Sequence, residues 1–146
     1  MELEKVKSIL EKDYYKVKNE KFEIDGKIVS QLEVILDFDD FPNIPPLNIY
    51  IMFLNNVEEE LNGVSILQYY LPFTVSEKNN DLLESKIVEI NKRLFLGHFG
   101  VHAEDIYIKY CQTVFEENPD SIKNKILNTI SSISFQFTSN ISEFNL

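Results

Sequence analysis

The chain is 146 residues long, about one domain's worth, and 44% of its residues are hydrophobic. Its net charge of −10 argues against nucleic acid and against an anionic membrane surface, because both partners require lysine and arginine. A single cysteine excludes an intrachain disulfide framework and fits a reducing compartment. The sequence has no apolar run of the signal-peptide type and no stretch as long as a membrane span. We therefore expect a cytoplasmic protein that binds neither nucleic acid nor a membrane.

The first part of the chain predicts a helix and a β-hairpin. Apolar residues at helical spacing predict an amphipathic helix over residues 2–12. The loose alternation that begins at Tyr14 contains Asp25-Gly26, which is a strong signal for a two-residue hairpin turn. In the second strand of this hairpin, one parity collects the apolar side chains and should face inwards. That parity contains Ile28, Leu32, Val34, Leu36 and Phe38.

Two strands in the middle of the chain are apolar on both faces. After a loop over residues 39–46, the third strand has Leu47, Ile49, Ile51 and Phe53 on one parity and Tyr50, Met52 and Leu54 on the other. The fourth strand, over residues 64–75, repeats this property, and Pro72 suggests that its end lies at an edge or a bend. A strand that is apolar on both faces is expected to be central and covered on both sides.

The last part of the chain predicts two helices that flank two strands. The second helix covers residues 80–95, and Gly97 is expected to take the left-handed conformation that ends it. Its core stripe contains Leu83, Ile87, Ile90 and Leu94, widened by Val88 and Asn91. Two strands follow, one with Phe99 and Val101 and one over residues 106–115, joined by a turn at 103–105. The pair Asn118-Pro119 predicts the cap and first position of the last helix.

The predicted elements define an α+β domain. Their order is α-β-β-β-β-α-β-β-α, with an antiparallel β-sheet and three helices. We expect a single domain over residues 1–139, followed by a frayed C-terminal tail over residues 140–146.

No metal or cofactor site is predicted. His98 and His102 would lie about 13 Å apart in a strand, which is too far for two ligands of one ion. The acidic cluster of Asp37, Asp39 and Asp40 lacks the pattern of a calcium loop. The acidic run at residues 58–60 is expected to be a solvated surface.

No catalytic residue is predicted either. The chain lacks a G-x-S-x-G elbow, a P-loop and a G-x-G-x-x-G motif. Cys111 lies in the interior of a predicted strand, where a small hydrophobic filler is the commoner role. A pair of general-acid carboxylates stays open as an alternative, although no pair stands out. We expect a protein that is not an enzyme.

Two segments of the chain are similar to a known family, namely VSILQYYLPFTV and EINKRLFLGHFGVHAEDIYIKYCQTVF. They resemble the YbjN-type proteins, a family described as sensory transduction regulators. The resemblance extends over residues 28–137 and rests on residues 67–72, Asn91, 96–100 and 106–110, with His98 where the family usually has arginine. It implies a fold similar to that of type III secretion chaperones. In that fold helices pack on an antiparallel sheet, which often binds an extended partner segment or dimerises.

The doubly apolar strands and this resemblance together predict a binding site. If three helices pack on one face of the sheet, the other face of the third and fourth strands is uncovered. In the alternative, a helix and a loop cover both faces. We predict a non-enzymatic interaction domain that binds a protein segment or a second copy of itself through a sheet face or edge, with a basic partner favoured. The contact candidates are Tyr50, Met52, Leu54, Leu67, Tyr69 and Leu71.

Two other classes of function remain open at this point. A small apolar ligand could bind in a cavity between the sheet and the helices. An unrecognised hydrolase would require titratable groups with shifted pKa values in one cleft.

Overall fold

The computed structural model describes residues 2–54, 64–75, 80–102, 105–115 and 118–144, except for the side chains of Val64, Asn80 and His102. Within these residues it has three α-helices and six β-strands. The elements are α1 (Leu3–Lys12), β1 (Val17–Ile24), β2 (Lys27–Leu36), β3 (Leu47–Phe53), β4 (Val64–Thr74), α2 (Asn80–Asn91), β5 (His98–His102), β6 (Asp105–Phe115), α3 (Pro119–Asn140) and a 3₁₀ turn (Ile141–Glu143). The predicted order and the α+β class are confirmed.

The six strands form one antiparallel sheet in the order β1-β2-β3-β4-β6-β5. The first four strands follow one another as a meander. The chain then passes through α2 to the far edge strand β5 and returns as β6, which fills the position between β5 and β4. β1 and β5 are therefore the two edges, and β3 and β4 lie at the centre of the sheet.

The turn between β1 and β2 has the conformation that its sequence predicts. Asp25 has φ of 50° and Gly26 has φ of 78°, so both central residues are left-handed. This is the backbone of a type I′ turn, whose twist matches that of the flanking strands. The turn pairs Ile24 with Lys27 and so determines the register of the whole hairpin.

All three helices pack on the same face of the sheet, which we call the covered face. The helices contribute Val6 and Leu10 from α1, Leu83, Ile87 and Ile90 from α2, and Ile126, Ile130, Ile133 and Phe137 from α3. These side chains join one hydrophobic cluster with one parity of the strands. On the strands the cluster includes Leu32, Val34, Leu36, Ile49, Ile51, Leu67, Tyr69, Leu71, Phe73, Phe99, Ile106, Ile108 and Val114.

Phenylalanine rings pack together at one end of this core, and one of them, Phe144, lies near the C-terminus. The Phe73 ring lies 5.0 Å from that of Phe137 and 6.0 Å from that of Phe144, measured between centroids. Phe144 also stacks on Phe99 and is almost fully buried. The prediction of a frayed tail is therefore wrong for residues 140–144, because this aromatic contact anchors them. Residues 145–146 lie outside the described residues.

The second helix is shorter than predicted. It ends at Asn91, and Val88 is exposed instead of widening the core stripe. Gly97 has the predicted left-handed backbone, with φ of 68°, but it lies directly before β5. A Cβ atom at this position would come within 2.6 Å of the carbonyl oxygen of Lys109, so the glycine allows the chain to approach β6 closely.

Among the strand predictions, the one for Ile28 needs correction, whereas the expectation that Pro72 lies at an edge is met. Ile28 is 73% exposed, because the register of β2 with β3 begins only at Leu32. Pro72 lies in a central strand and pairs with Tyr107 of β6. The register of β4 with β3 stops at Tyr70, so on that side Pro72 is locally at an edge, where a missing N–H group is tolerated.

Candidate functional site

The strand residues of the opposite parity form a second face, which none of the described helices covers. We call it the open face. Its described side chains are half-buried or exposed, and none of them belongs to the hydrophobic cluster on the other side. Its half-buried members include Ile35, Tyr50, Met52, Ile66, Gln68, Tyr70, Tyr107 and Lys109. Aromatic and methionine side chains on an accessible surface are typical of sites of protein interaction.

One row of paired residues crosses the open face through all six strands, and we call it the central row. It starts with Lys18 on β1, which pairs with Glu33 on β2, and Glu33 pairs with Tyr50 on β3. The row continues from Tyr50 to Tyr70, Lys109 and His98, on β4, β6 and β5. Two tyrosines therefore occupy its middle, with ionic side chains on either side of them.

Tyr107 extends the aromatic surface towards the β5 edge. Its ring centroid lies 5.1 Å from that of Tyr70 and 6.2 Å from that of His98. A Cβ atom at Gly100 would overlap the Tyr107 ring, so a glycine at this position leaves room for the ring to lie across β5. Burial raises the pKa of Tyr70 above its ordinary value, and Tyr107 and Asp105 add to this effect. Tyr70 is thus partly desolvated although it lies on the open face.

The six predicted contact residues divide between the two faces. Tyr50 and Met52 lie on the open face, and Leu54 follows β3 with a half-buried side chain. The other three, Leu67, Tyr69 and Leu71, are 0% exposed and belong to the core of the covered face. The prediction that these three residues contact a partner is wrong, because the register of β4 places their parity on the side of the helices. Binding at Tyr50, Met52 and Leu54 stays a prediction.

The residues of β4 that do lie on the open face are Ile66, Gln68, Tyr70 and Pro72. A signal in the sequence could have found them. The parity of Leu67 continues with apolar residues to Val75, whereas that of Tyr70 includes Gln68 and Thr74. The more uniformly apolar parity of an amphipathic strand is the one that faces the core. Tyr107 on β6 lies on the open face as well, because it pairs with Pro72 of β4.

A buried polar network accounts for the hydroxyl group of Tyr69. This hydroxyl donates to Oε1 of Gln112 at 2.8 Å, and Nε2 of Gln112 donates to the hydroxyl of Thr129 at 3.0 Å. Thr129 in turn donates to the carbonyl oxygen of Lys125 at 2.7 Å. Burial raises the pKa of Tyr69 above its ordinary value. The network joins β4, β6 and α3 and has a structural role.

The two edges of the sheet offer less to a partner strand than the open face does. On β5, the side-chain amide of Asn91 accepts from the N–H of Phe99 at 2.8 Å and donates to its carbonyl at 3.0 Å. This pair of bonds satisfies the outward-pointing backbone groups of Phe99. On β1, lysines and glutamates follow one another along an exposed edge, which is a common protection against strand addition.

The acidic residues, the histidines and the cysteine are the remaining side chains that the sequence singles out. Among the described residues, no group of three His, Cys, Asp or Glu side chains is placed to hold a metal ion. Asp37, Asp39 and Asp40 are exposed. The acidic run at 58–60 and the side chain of His102 lie outside the described residues. Cys111 is exposed on the open face, so its expected role as a core filler is wrong.

No protein-family model matches this chain, and no curated protein matches it. In the part of the chain that the structure describes, no helix combines the length and the apolar composition needed to cross a membrane.

Proposed function

We propose that the chain is a non-enzymatic interaction domain that binds a protein surface through its open face. The observation that carries the proposal is the one-sided packing of the sheet. Three helices bury one parity of the strands, while Tyr50, Tyr70 and Met52 remain accessible on the other. The resemblance to YbjN-type regulators and to the chaperone-like fold is consistent with this use of a sheet. The proposed location is the cytoplasm, which suits an exposed free thiol at Cys111.

Face binding is favoured over strand addition at an edge. Asn91 already occupies the outward-pointing backbone groups of Phe99 on β5. The β1 edge carries alternating charges, and its Asn19 donates to Glu4 of α1 at 2.8 Å. Across the open face, by contrast, aromatic side chains can bury large apolar areas while their hydroxyl groups stay hydrated. The face therefore offers the larger favourable free energy of association.

A small apolar ligand gains no support from the depression found on α2. That depression is lined by Asp81, Glu84, Ser85, Val88 and Glu89. Sites for apolar ligands are lined mainly by hydrophobic and aromatic side chains, and three carboxylates are the opposite of such a lining. The depression also lies on the side of α2 that faces away from the sheet core, because Leu83 and Ile87 face inwards.

The test compares one charge placed on the open face with the same charge placed on a helix. Met52→Asp introduces a carboxylate into the half-buried centre of the open face, next to Gln68. Phe135→Asp is the matched control, since Phe135 is 62% exposed on α3, on the other side of the molecule. Each partner that copurifies with the wild-type chain is purified and titrated by calorimetry against both variants. Light scattering after size exclusion measures self-association in the same way.

We expect Met52→Asp to weaken binding by roughly tenfold or more, because the partner would desolvate the introduced charge. Phe135→Asp should stay within about twofold of the wild-type affinity, since no interface covers α3 there. Circular dichroism and thermal melting confirm that both variants fold. Equal affinity for both variants, or equal loss in both, would overturn the proposal.

A further inference from the structure

The charges of the open face differ from those of the whole chain. The chain has a net charge of −10. Among the described strand residues, however, the open face carries Lys18, Lys27 and Lys109 against Glu20, Glu33 and Asp105, which is a balance of three and three. A basic partner would find no excess of carboxylates on this face. Two copies that approach through this face therefore meet no net charge on its described strand residues.

The central row is also arranged so that it complements itself. In strand order it reads Lys18, Glu33, Tyr50, Tyr70, Lys109 and His98. A two-fold axis parallel to the strands, between β3 and β4, exchanges β3 with β4, β2 with β6 and β1 with β5. Stacking two copies about that axis brings Tyr50 opposite Tyr70 and Glu33 opposite Lys109, each twice. At the ends, Lys18 lies opposite His98.

We propose that the occupant of the open face is a second copy of this chain, stacked sheet on sheet about that axis, with Glu33 paired to Lys109 of the other copy. The inference rests on the proposed function and names its partner. The product is a sandwich of two aligned sheets about 10 Å apart, with the helices outside. Glu33 is half-buried, and its Oε1 accepts from Asn48 at 2.6 Å, which holds the carboxylate in place on the face.

Charge exchange tests this pairing. Within one copy, β2 and β6 are three strand spacings apart, or about 14 Å, so Glu33 and Lys109 do not pair intramolecularly. Glu33→Lys alone should place like charges opposite each other twice and raise the dimer dissociation constant by roughly tenfold or more. Lys109→Glu alone should do the same. The double variant Glu33→Lys/Lys109→Glu should restore dimerisation, and an equimolar mixture of the two single variants should form mixed dimers.

Sedimentation velocity measures these dissociation constants, and Cys111 gives a second readout. It is the chain's only cysteine and lies exposed on the open face, so a thiol reagent reports on one site. Its rate of modification should fall as the protein concentration rises through the dissociation constant. The fall should move to about tenfold higher concentration in Glu33→Lys and return to its wild-type position in the double variant.

Two results would overturn this inference. If the wild-type chain stays monomeric and Cys111 reacts at one rate at every concentration, no second copy occupies the face. If a dimer forms but neither the double variant nor the mixture restores it, the symmetry and the pairing are wrong. In either case the proposed function stands as long as Met52→Asp still weakens binding of another protein, and it fails separately if that variant has no effect.

Discussion

The two faces of the sheet both carry apolar side chains on the central strands, yet the two faces differ sharply in burial. On the covered face, Leu67, Tyr69 and Leu71 are 0% exposed and belong to one hydrophobic cluster with side chains of the three helices. On the open face, their neighbours Ile66, Gln68 and Tyr70 are only half-buried. The comparison teaches that an apolar side chain on a central strand is not by itself evidence of burial. What decides is which side the helices reach, and the other side is left available for association.

The largest expected effect comes from removing one side chain from each face of β4. Leu67→Ala leaves a cavity in the core and should lower the free energy of unfolding by about 2–5 kcal/mol. Ile66→Ala, one residue away, should cost about 1 kcal/mol or less, because its side chain is half-solvated in the folded state. Urea denaturation measures both. Equal losses would mean that the two faces are equally buried, contrary to the comparison.

A smaller effect is expected where α2 closes the β5 end of the covered face. Asn91→Ala removes both hydrogen bonds to the backbone of Phe99 and should cost about 1–3 kcal/mol, because a half-buried N–H and C=O lose their partners. Hydrogen exchange at the Phe99 amide should accelerate as well.

Asn19→Ala on the β1 edge is the matched control for this substitution. The amide of Asn19 donates to Glu4 on an exposed surface, so its loss should cost no more than about 0.5 kcal/mol. If Asn19→Ala cost as much as Asn91→Ala, the hydrogen bonds of Asn91 to the backbone of Phe99 would have no special role at the β5 edge.

The smallest expected effect is a difference between the faces at alkaline pH. Burial raises the pKa of Tyr69 strongly and that of Tyr70 to a lesser extent. Above pH of about 10 the unfolded chain releases these protons first, so the free energy of unfolding should fall as the pH rises. The stability that each tyrosine contributes is fully present below that pH. Tyr69→Phe should flatten this fall more than Tyr70→Phe does.

Denaturation at a series of pH values from neutral to alkaline measures both slopes. At neutral pH, Tyr69→Phe should also cost about 1 kcal/mol, since Gln112 loses the hydroxyl that donates to it. A flatter profile in Tyr70→Phe than in Tyr69→Phe would reverse the order of burial of the two faces.

Local pattern was sufficient to predict most of the elements. Helical spacing of apolar residues predicted α1, and alternation around Asp25-Gly26 predicted the hairpin that the structure contains. Asn118 caps α3 as expected, since its side chain accepts from the N–H of Asp120 at 2.9 Å. These signals act between residues that are close in sequence, and they need no information about the rest of the fold.

The candidate site was predicted only in part. The parity of Tyr50 and Met52 was assigned to an accessible face, as observed, but Leu67, Tyr69 and Leu71 were placed beside them. Both parities of β3 and β4 are largely apolar, so alternation left only a weak signal, the polar residues Gln68 and Thr74 on the parity of Tyr70. The pairing of Tyr50 with Tyr70 resolves this, and it depends on contacts between strands that are distant along the chain. The anchoring of Phe144 by Phe73 and Phe99 is equally non-local.

By itself the sequence determined the element types, their order and the α+β class, because periods of two and 3.6 residues encode strands and helices directly. It also determined the overall acidity of the chain. The tertiary structure alone decided the strand order, the register and the side on which the helices pack. These choices depend on packing summed over many distant contacts, and they leave Tyr50, Tyr70 and Tyr107 together on an accessible surface.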